Sequence, residues 1–304
     1  MFKFDKEQIE FKIGDIIIGG QPGKNPTVLI GSLFYEHHSL VADHKLGVFN
    51  KIAVENLIKK QEELSDLTGN PVILDIMGLY PEALINYIKF ITEITDSPFL
   101  LDGISAEVRI LALKYVSEVG LLERAVYNSI EMTASDTELQ AIKDSGIKAA
   151  VLLAFSPIAV FPQAKLELIK GSDNQAGLLD KAKRAGVEKT LIDTVVLDLP
   201  SIGLSAQTIH LVKKELGLPT GNSPANAIYT WDKGKIFEKK DFASISAAVL
   251  SQAFGADFII YGSIHKADYI FPALAVSNAC ISYNALRYFN IKLSAGNQPL
   301  YKIG

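Results

Sequence analysis

Apolar segments of this sequence repeatedly end in a carboxylate or an amide. In LLDGIS, residues 100–105, two leucines lead directly to Asp102. The same arrangement recurs in VILDIMG, AVYNSI and LIDTVV, which supply Asp75, Asn128 with Ser129, and Asp193. If these segments are buried strands, several carboxylates converge, and burying them without partners costs several kcal/mol. A ligand that complements them is therefore expected.

Other polar residues near the ends of predicted strands are less distinctive. They are Asp198, five residues after Asp193, and Asn222, Ser223 and Asn226 in GNSPANA. The ordinary explanation for Asp, Asn or Ser at such a position is that it caps the next helix. The serines that fit this capping role best are Ser105, Ser135 and Ser223.

The residue inventory disfavours several kinds of chemistry. Asp and Asn side chains can hold Mg²⁺, but a zinc hydrolase or a nucleophilic triad needs a histidine at a strand end. Three of the five histidines, His37, His38 and His44, fall in one loop instead. The only sequence resembling a phosphate-binding turn before a helix is the short GSIHK. No resident metal is predicted.

An organic ring rich in N–H donors suits the carboxylates better. The 2-amino-4-oxopteridine ring presents adjacent donors along one edge, and a carboxylate accepts two such bonds side by side. Amide side chains both donate and accept, so they can bind the ring carbonyl and the remaining nitrogens. Two Asp and one or two Asn around a slot are the side chains such a ring needs.

The elements that must position these residues alternate along the chain. Short apolar runs rich in β-branched residues are followed by segments of helical period. One helix is predicted from Lys51 to Thr68, with a stop at Gly69, and Ser135 with Glu138 fits a capping box. Eight such strand–helix units predict a (β/α)8 barrel formed by a single domain over residues 1–304.

Two further features support the barrel. The strands are uniformly apolar, as expected for strands covered on both faces, and the N-terminal EFKIGDIIIGG reads as a hairpin that closes the bottom. The alternative, a doubly wound open sheet, carries a G-x-G-x-x-G turn after its first strand. GSLFYEHH stands there and lacks that spacing.

Composition restricts the protein class. The net charge is −4, and the sequence contains no basic stripe that could bind nucleic acid. Cys280 is the single cysteine, so a disulfide framework is excluded. The first residues contain no apolar signal core, and the longest apolar run, AAVLLAFSPIAVF, is too short to span a bilayer. These features predict a soluble cytoplasmic protein.

The ordered motifs resemble a known family. FLLD with Asp102, NSI at residues 128–130 and IDTVVL from Ile192 resemble motifs on strands three, four and six of the pterin-dependent methyltransferases, a group that includes dihydropteroate synthase. From MFKFDKEQ through GGQPG to PANA, the chain resembles the H subunit of methanogen tetrahydromethanopterin S-methyltransferase and its bacterial relatives. Those relatives transfer methyl groups between a corrinoid protein and tetrahydrofolate, for instance in glycine betaine demethylation.

The resemblance implies a homodimeric barrel that binds a reduced pterin, with a separate corrinoid (cobalamin-type) protein docking on top. It implies that Asp102, Asn128 and Asp193 hold the pterin edge, with Asp75 a weaker candidate. The family places an amide on strand seven near N5, the atom that gives or takes the methyl. This chain departs from the family pattern there, and Asn222 is favoured over Asn226 because it lies closer to the strand end.

The sequence predicts a methyltransferase that uses tetrahydrofolate, and it leaves three alternative functions open. The first alternative is a tetrahydromethanopterin enzyme of the same fold. The second is a non-catalytic pterin-binding subunit, and the third is a phosphate-binding barrel enzyme. Tyr229 and Trp231 follow strand seven, where they either help cover the site or serve as ordinary packing residues.

Overall fold

Eight parallel strands close into a barrel in the computed structural model, which describes residues 2–172, 175–231, 240–294 and 296–304. Before the barrel, β1 (Glu10–Ile13) pairs antiparallel with β2 (Ile16–Gly19). The first barrel strand is β3 (Val28–Leu33). After it, β4 (Val41–Asp43) pairs antiparallel with β5 (Val48–Phe49). The other barrel strands are β6 (Val72–Gly78), β7 (Phe99–Gly103), β8 (Ala125–Ile130), β9 (Ala149–Leu153), β10 (Lys189–Asp193), β11 (Thr220–Asn222) and β12 (Phe258–Ser263). Because β12 pairs with β3, the predicted barrel is confirmed.

Helices alternate with the barrel strands along the chain. They are α1 (Lys51–Thr68), α2 (Pro81–Ile94), α3 (Ala106–Glu118), α4 (Asp136–Ser145), α5 (Pro162–Lys170), α6 (Leu178–Arg184), α7 (Ser201–Leu216), α8 (Ala225–Thr230), α9 (Asp241–Ala253), α10 (Ala267–Arg287) and α11 (Pro299–Ile303). The predicted bounds of α1 are confirmed. Among the described residues, the fifth unit contains two helices, which the sequence patterns did not indicate, and the seventh unit contains a short helix after Pro224 before its longer one. Across the described ranges, every helix is too short or too polar to cross a membrane.

Most of the predicted helix ends are confirmed. Gly69 ends α1 in the left-handed region at φ +81°, where glycine has no Cβ to clash. The side chains of Ser105 and Ser135 cap α3 and α4 by accepting bonds from backbone N–H groups three residues farther along the chain. Ser223 does not cap α8, because Pro224 occupies the position before that helix.

Only one of the two hydrogen bonds of the predicted capping box forms at α4. Ser135 Oγ accepts a hydrogen bond from Glu138 N (3.1 Å), but the Glu138 carboxylate turns away from the cap. It accepts from Arg109 Nη2 (2.8 Å) and from the Tyr127 hydroxyl (2.6 Å) instead. A buried carboxylate gains more from a buried guanidinium than from one backbone N–H, so tertiary packing overrides the local motif.

The N-terminal hairpin closes one end of the barrel, as predicted. Ile13 and Ile18 on its two strands are fully buried, and they pack in one cluster with inward-facing barrel residues such as Val28, Ile30 and Ile73. Those residues lie at the start or middle of their strands. The hairpin therefore seals the bottom, and the opposite face, at the carboxyl ends of the strands, remains for a site.

Candidate functional site

The register of the strands identifies the side chains that face the barrel axis. One buried cluster fills the interior and contains Ile30, Ile73, Leu100 and Val126. Two residues farther along each of these strands, and hence on the same face, lie Ser32, Asp75, Asp102 and Asn128. Asp193 follows the interior residue Leu191 in the same way. These five residues form a polar layer at the carboxyl ends of the strands, here called the cup.

Asp75 and Asp102 form a buried pair of acids in the cup. Ser32 Oγ donates to Asp75 Oδ2 (2.6 Å), whereas Asp75 Oδ1 is buried and receives no N–H or hydroxyl donor from the described residues. The Asp75 and Asp102 carboxyl groups lie close enough to affect each other's ionisation, and Asn128 lies close enough to Asp102 to favour its ionised form. Burial raises the pKa of Asp75 to about 6, and burial together with the Asp75 charge raises the pKa of Asp102 well above its ordinary value. Both carboxyl groups therefore hold a proton more readily than an exposed acid does.

Asp193 ends β10 and is held by the backbone that follows it. Val195 N donates to Asp193 Oδ1 at 2.7 Å. Burial raises the pKa of Asp193 to about 6, although the Val195 N–H and the nearby Lys165 ammonium both lower it. The hydrogen bonds of the described residues leave Oδ2 without a protein donor. Asp193 thus keeps one carboxylate oxygen for a ligand.

Asp198 does not belong to the cup. The predicted sixth strand, TLIDTVVLD, stops at Asp193, so Asp198 lies in an exposed loop. Its carboxylate accepts a hydrogen bond from Ser201 N (3.0 Å) at the start of α7. Its role is that of a helix-capping residue.

The expectation that Asn222 faces the cup is wrong. Gly221 pairs with Asp193 and with Phe258, which both face the interior, so Asn222 faces outward. Its side-chain amide donates to Ser205 Oγ (2.8 Å) on α7 and to Ser251 Oγ (3.0 Å) on α9. A side chain at Gly221 would collide with the Phe258 ring, so β11 contributes no side chain to the cup.

The remaining candidates lie around the cup. Asn226 is exposed in the first turn of α8, and Ser223 is half-buried in the turn between β11 and that helix. Ser129 is buried next to Asn128, where β8 departs from regular pairing with β9. Of the aromatic residues that could cover the site, Tyr229 is 80% exposed at the end of α8, and Trp231 just beyond is half-buried.

Three features in or beside the cup were not predicted. Ser32 continues the alternation of Val28 and Ile30, so a strict two-residue period would have found it. His38 Nδ1 accepts from Phe34 N (3.2 Å), and its Nε2 lies 3.4 Å from His265 Nε2, which links the loops after β3 and β12. Burial lowers the pKa of His38 to about 4, so its ring is neutral at pH 7.

The third unpredicted feature is the buried lysine on α5, Lys165, which contacts the turn after Asp193. No local pattern signals a contact between residues so far apart in the chain. In the described ranges, no group of three or more His, Cys, Asp or Glu side chains is arranged to hold a metal ion.

Comparison with known proteins gives a match along nearly the whole chain. Residues 6–291 match the family described as the tetrahydromethanopterin S-methyltransferase MtrH subunit. The chain is 40% identical over 290 residues to the tetrahydromethanopterin S-methyltransferase H subunit of Methanothermobacter marburgensis, and the match covers 93% of this chain and 94% of that protein. It is 39% identical over 290 residues to the H subunit of the putative methyltransferase mtx of Methanosarcina mazei, with the same coverage of 93% and 94%.

Solved structures of dihydropteroate synthases share the fold. The enzyme from Xanthomonas albilineans, in complex with indole-2-carboxylic acid and 6-chloroguanine, aligns with a TM-score of 0.59 at 18% identity, covering 90% of this chain and 98% of that chain. The Coxiella burnetii enzyme in complex with pteroic acid aligns with a TM-score of 0.59 at 17% identity, covering 90% and 100%. Similarity at this level of identity establishes the barrel fold alone.

Proposed function

Because the chain belongs to the MtrH family of methyltransferase subunits, we propose that it moves a methyl group between N5 of a reduced pterin and a corrinoid carried by a separate partner protein. The observation that supports this most directly is the convergence of Asp75, Asp102, Asn128 and Asp193 on the inner face of the barrel. Family membership supplies the reaction class, and the cup supplies a site for a flat ring rich in N–H donors.

The cup residues would bind different groups along the pterin edge. Asp193 Oδ2 and the Asp102 carboxyl accept the ring N–H groups, and Asn128 binds the neighbouring carbonyl or ring nitrogen. Asp75 lies close enough to Asp102 to affect its ionisation. Ser129, next to Asn128, and Ser223, at the rim, add hydroxyl groups within the same region. Donors from the ring offset the cost of burying these carboxylates.

We assign the amide near N5 to Asn226 in place of Asn222. Asn226 stands at the start of α8, on the side of the barrel where the cup opens, whereas Asn222 is committed to Ser205 and Ser251. A neutral amide can either donate to or accept from N5 by rotating. That flexibility suits a reaction in which N5 is protonated when it is the leaving group and unprotonated when it attacks.

The reaction itself would be a direct displacement. The N5 lone pair attacks the methyl carbon while the cobalt–carbon bond breaks and its electron pair stays on cobalt, and the reverse reaction requires a proton on N5. No protein nucleophile takes part in this scheme. The contribution of the barrel is to orient the two reactants and hold the N5 proton, and orientation is worth up to about 7–11 kcal/mol of a barrier.

The identity of the pterin is best supported by the names of the relatives. Those names specify tetrahydromethanopterin, whereas the sequence alone favoured tetrahydrofolate. Both compounds carry the same 2-amino-4-oxopteridine head, so the cup suits either one. We propose tetrahydromethanopterin as the preferred substrate and tetrahydrofolate as the weaker one.

Apolar side chains on the loops around the cup support docking of the corrinoid protein on this face. Ile158 is 91% exposed, and Ile104, Phe161 and Tyr229 are also well exposed. They stand in segments that follow β7, β9 and β11, at the carboxyl ends of those strands. Clustered exposed apolar residues mark protein interaction surfaces. The homodimer implied by the family resemblance stays a prediction, to be checked by light scattering.

The test mixes the purified protein with methylcobalamin and either tetrahydromethanopterin or tetrahydrofolate, and measures the methylated pterin by chromatography. We expect methyl transfer to both, with tetrahydromethanopterin preferred. Asp193→Ala should weaken pterin binding by at least about tenfold, since a charged acceptor is lost. Asp198→Ala is the matched control and should bind normally. Pterin binding without turnover would favour a non-catalytic binding subunit, and competition by phosphate in place of pterin would favour the phosphate-binding barrel.

A further inference from the structure

Lys165 is a buried lysine beside the cup to which the proposed reaction assigns no role. Its side chain is 4% exposed, and its ammonium donates to the main-chain carbonyls of Thr194 and Val195, the latter at 3.1 Å. Burial lowers the pKa of Lys165, and the charge of Asp193 raises it. A buried ammonium is costly unless it is paired and hydrogen-bonded, and here its partners belong to the turn that follows Asp193.

That turn has an unusual backbone. Val195 adopts φ +54°, in the left-handed region that β-branched residues rarely occupy. Such a conformation is strained and persists only where neighbours hold it. Here Val195 N donates to Asp193 Oδ1 (2.7 Å), Thr194 N donates to Gly221 O (3.0 Å), and Lys165 binds the two carbonyls.

We propose that Lys165 is a positioning residue for Asp193. By holding the Thr194 carbonyl, it fixes the peptide plane between Thr194 and Val195. The Val195 N–H lies in that plane and is directed at Asp193 Oδ1, and the bond from Lys165 to the Val195 carbonyl helps to hold Val195 at positive φ. The bond from the Val195 N–H fixes the carboxylate and leaves Oδ2 for the ligand. The inference rests on the proposed function in one respect, since the ligand is taken to be the pterin edge.

Loss of the Lys165 ammonium then has two consequences. The peptide plane between Thr194 and Val195 can flip, which returns Val195 to negative φ and turns its N–H away from Asp193, so the carboxylate can rotate. Asp193 also loses the ammonium that favours its ionised form. Of the described residues, the ones that shift the Asp193 pKa by charge or hydrogen bonding are Lys165 from α5 and the Val195 N–H from its own loop. Both effects raise the pKa of Asp193.

The first experiment measures the pKa of Asp193 by carboxyl NMR in the ligand-free protein. We expect Lys165→Met to raise it by about one pH unit or more, and Lys165→Arg to keep it near the native value. The matched control is Lys213→Met, which removes a buried lysine that pairs with Asp257 at 2.6 Å away from the cup. That variant should lose stability and leave the pKa of Asp193 unchanged. If Lys165→Met does not fold, the pKa of Asp193 is measured in Lys165→Gln, which lacks the charge but keeps a hydrogen-bond donor.

The second experiment measures the Kd for tetrahydromethanopterin and tetrahydrofolate across pH. Lys165→Met should weaken binding about tenfold at pH 7. Adding Val195→Gly should recover part of that loss, because glycine adopts φ +54° without strain. If Lys165→Met changes neither the pKa of Asp193 nor the Kd, or if Val195→Gly recovers nothing, the positioning role is refuted. If the native protein binds no pterin and Lys165→Met still shifts the Asp193 pKa, the proposed function fails and the positioning role stands.

Discussion

Replacing Asp193 by Asn is expected to stabilise the ligand-free protein above pH 6 while weakening pterin binding. Burial raises the pKa of Asp193 from 3.8 to about 6. The folded protein therefore holds this proton more tightly than the unfolded chain does. For this raised pKa, the stability contribution is greatest below the unfolded value and is lost as pH rises through about 6. Asparagine keeps the Oδ1 acceptor for Val195 N and carries no charge to desolvate.

The size of the gain follows from the shift in pKa. A shift from 3.8 to about 6 corresponds to about 3 kcal/mol. Solvent screens little of this, because Asp193 is only 5% exposed. The amide N–H₂ introduced by the substitution needs a partner, and an imperfect one costs about 1 kcal/mol. We therefore expect Asp193→Asn to gain about 2 kcal/mol at pH 8 and to differ little from the native protein at pH 4.

Chemical denaturation of both proteins at pH 4, 6 and 8 measures this difference. Asp198→Asn is the control, since that carboxylate is exposed and lies outside the cup. An equal free-energy difference at all three pH values would refute the reasoning, and so would a loss of stability at pH 8. Pterin binding should fall in the same variant, because the ring loses a charged acceptor.

Three further outcomes are expected. Asn222→Ala should destabilise the fold by about 1–3 kcal/mol, since it leaves two buried hydroxyls without their donor, and melting curves measure this. Asn226→Ala should lower the rate of methyl transfer more than pterin affinity, and the reverse result in steady-state kinetics would contradict its assignment to N5. Ser32→Ala removes a donor that lowers the pKa of Asp75, so carboxyl NMR should find that pKa above 6, and stability should keep falling with rising pH beyond that point.

Local sequence patterns were sufficient to predict the barrel strands and most of the cup residues. Asp102 and Asn128 lie near the carboxyl ends of their strands, two residues after the interior residues Leu100 and Val126, and side chains two residues apart on a strand share a face. The bounds of α1 follow from its apolar period and from Gly69, because helix ends are governed by local backbone chemistry. The motifs on strands three, four and six indicated the wider group of pterin-dependent methyltransferases, and the resemblance along the whole chain indicated the family that the comparisons confirm.

Tertiary structure decided the features that depend on register or on distant contacts. In the three-residue strand β11, a shift of one residue exchanges the inner and outer faces, so the pairing of Gly221 with Asp193 turns Asn222 away from the cup. The raised pKa values of Asp75 and Asp102 depend on burial and on a neighbouring strand. Lys165 reaches the turn after Asp193 from a different helix. Residue type and spacing determine which groups are available, but the energies of buried charges depend on neighbours that only the folded chain brings together.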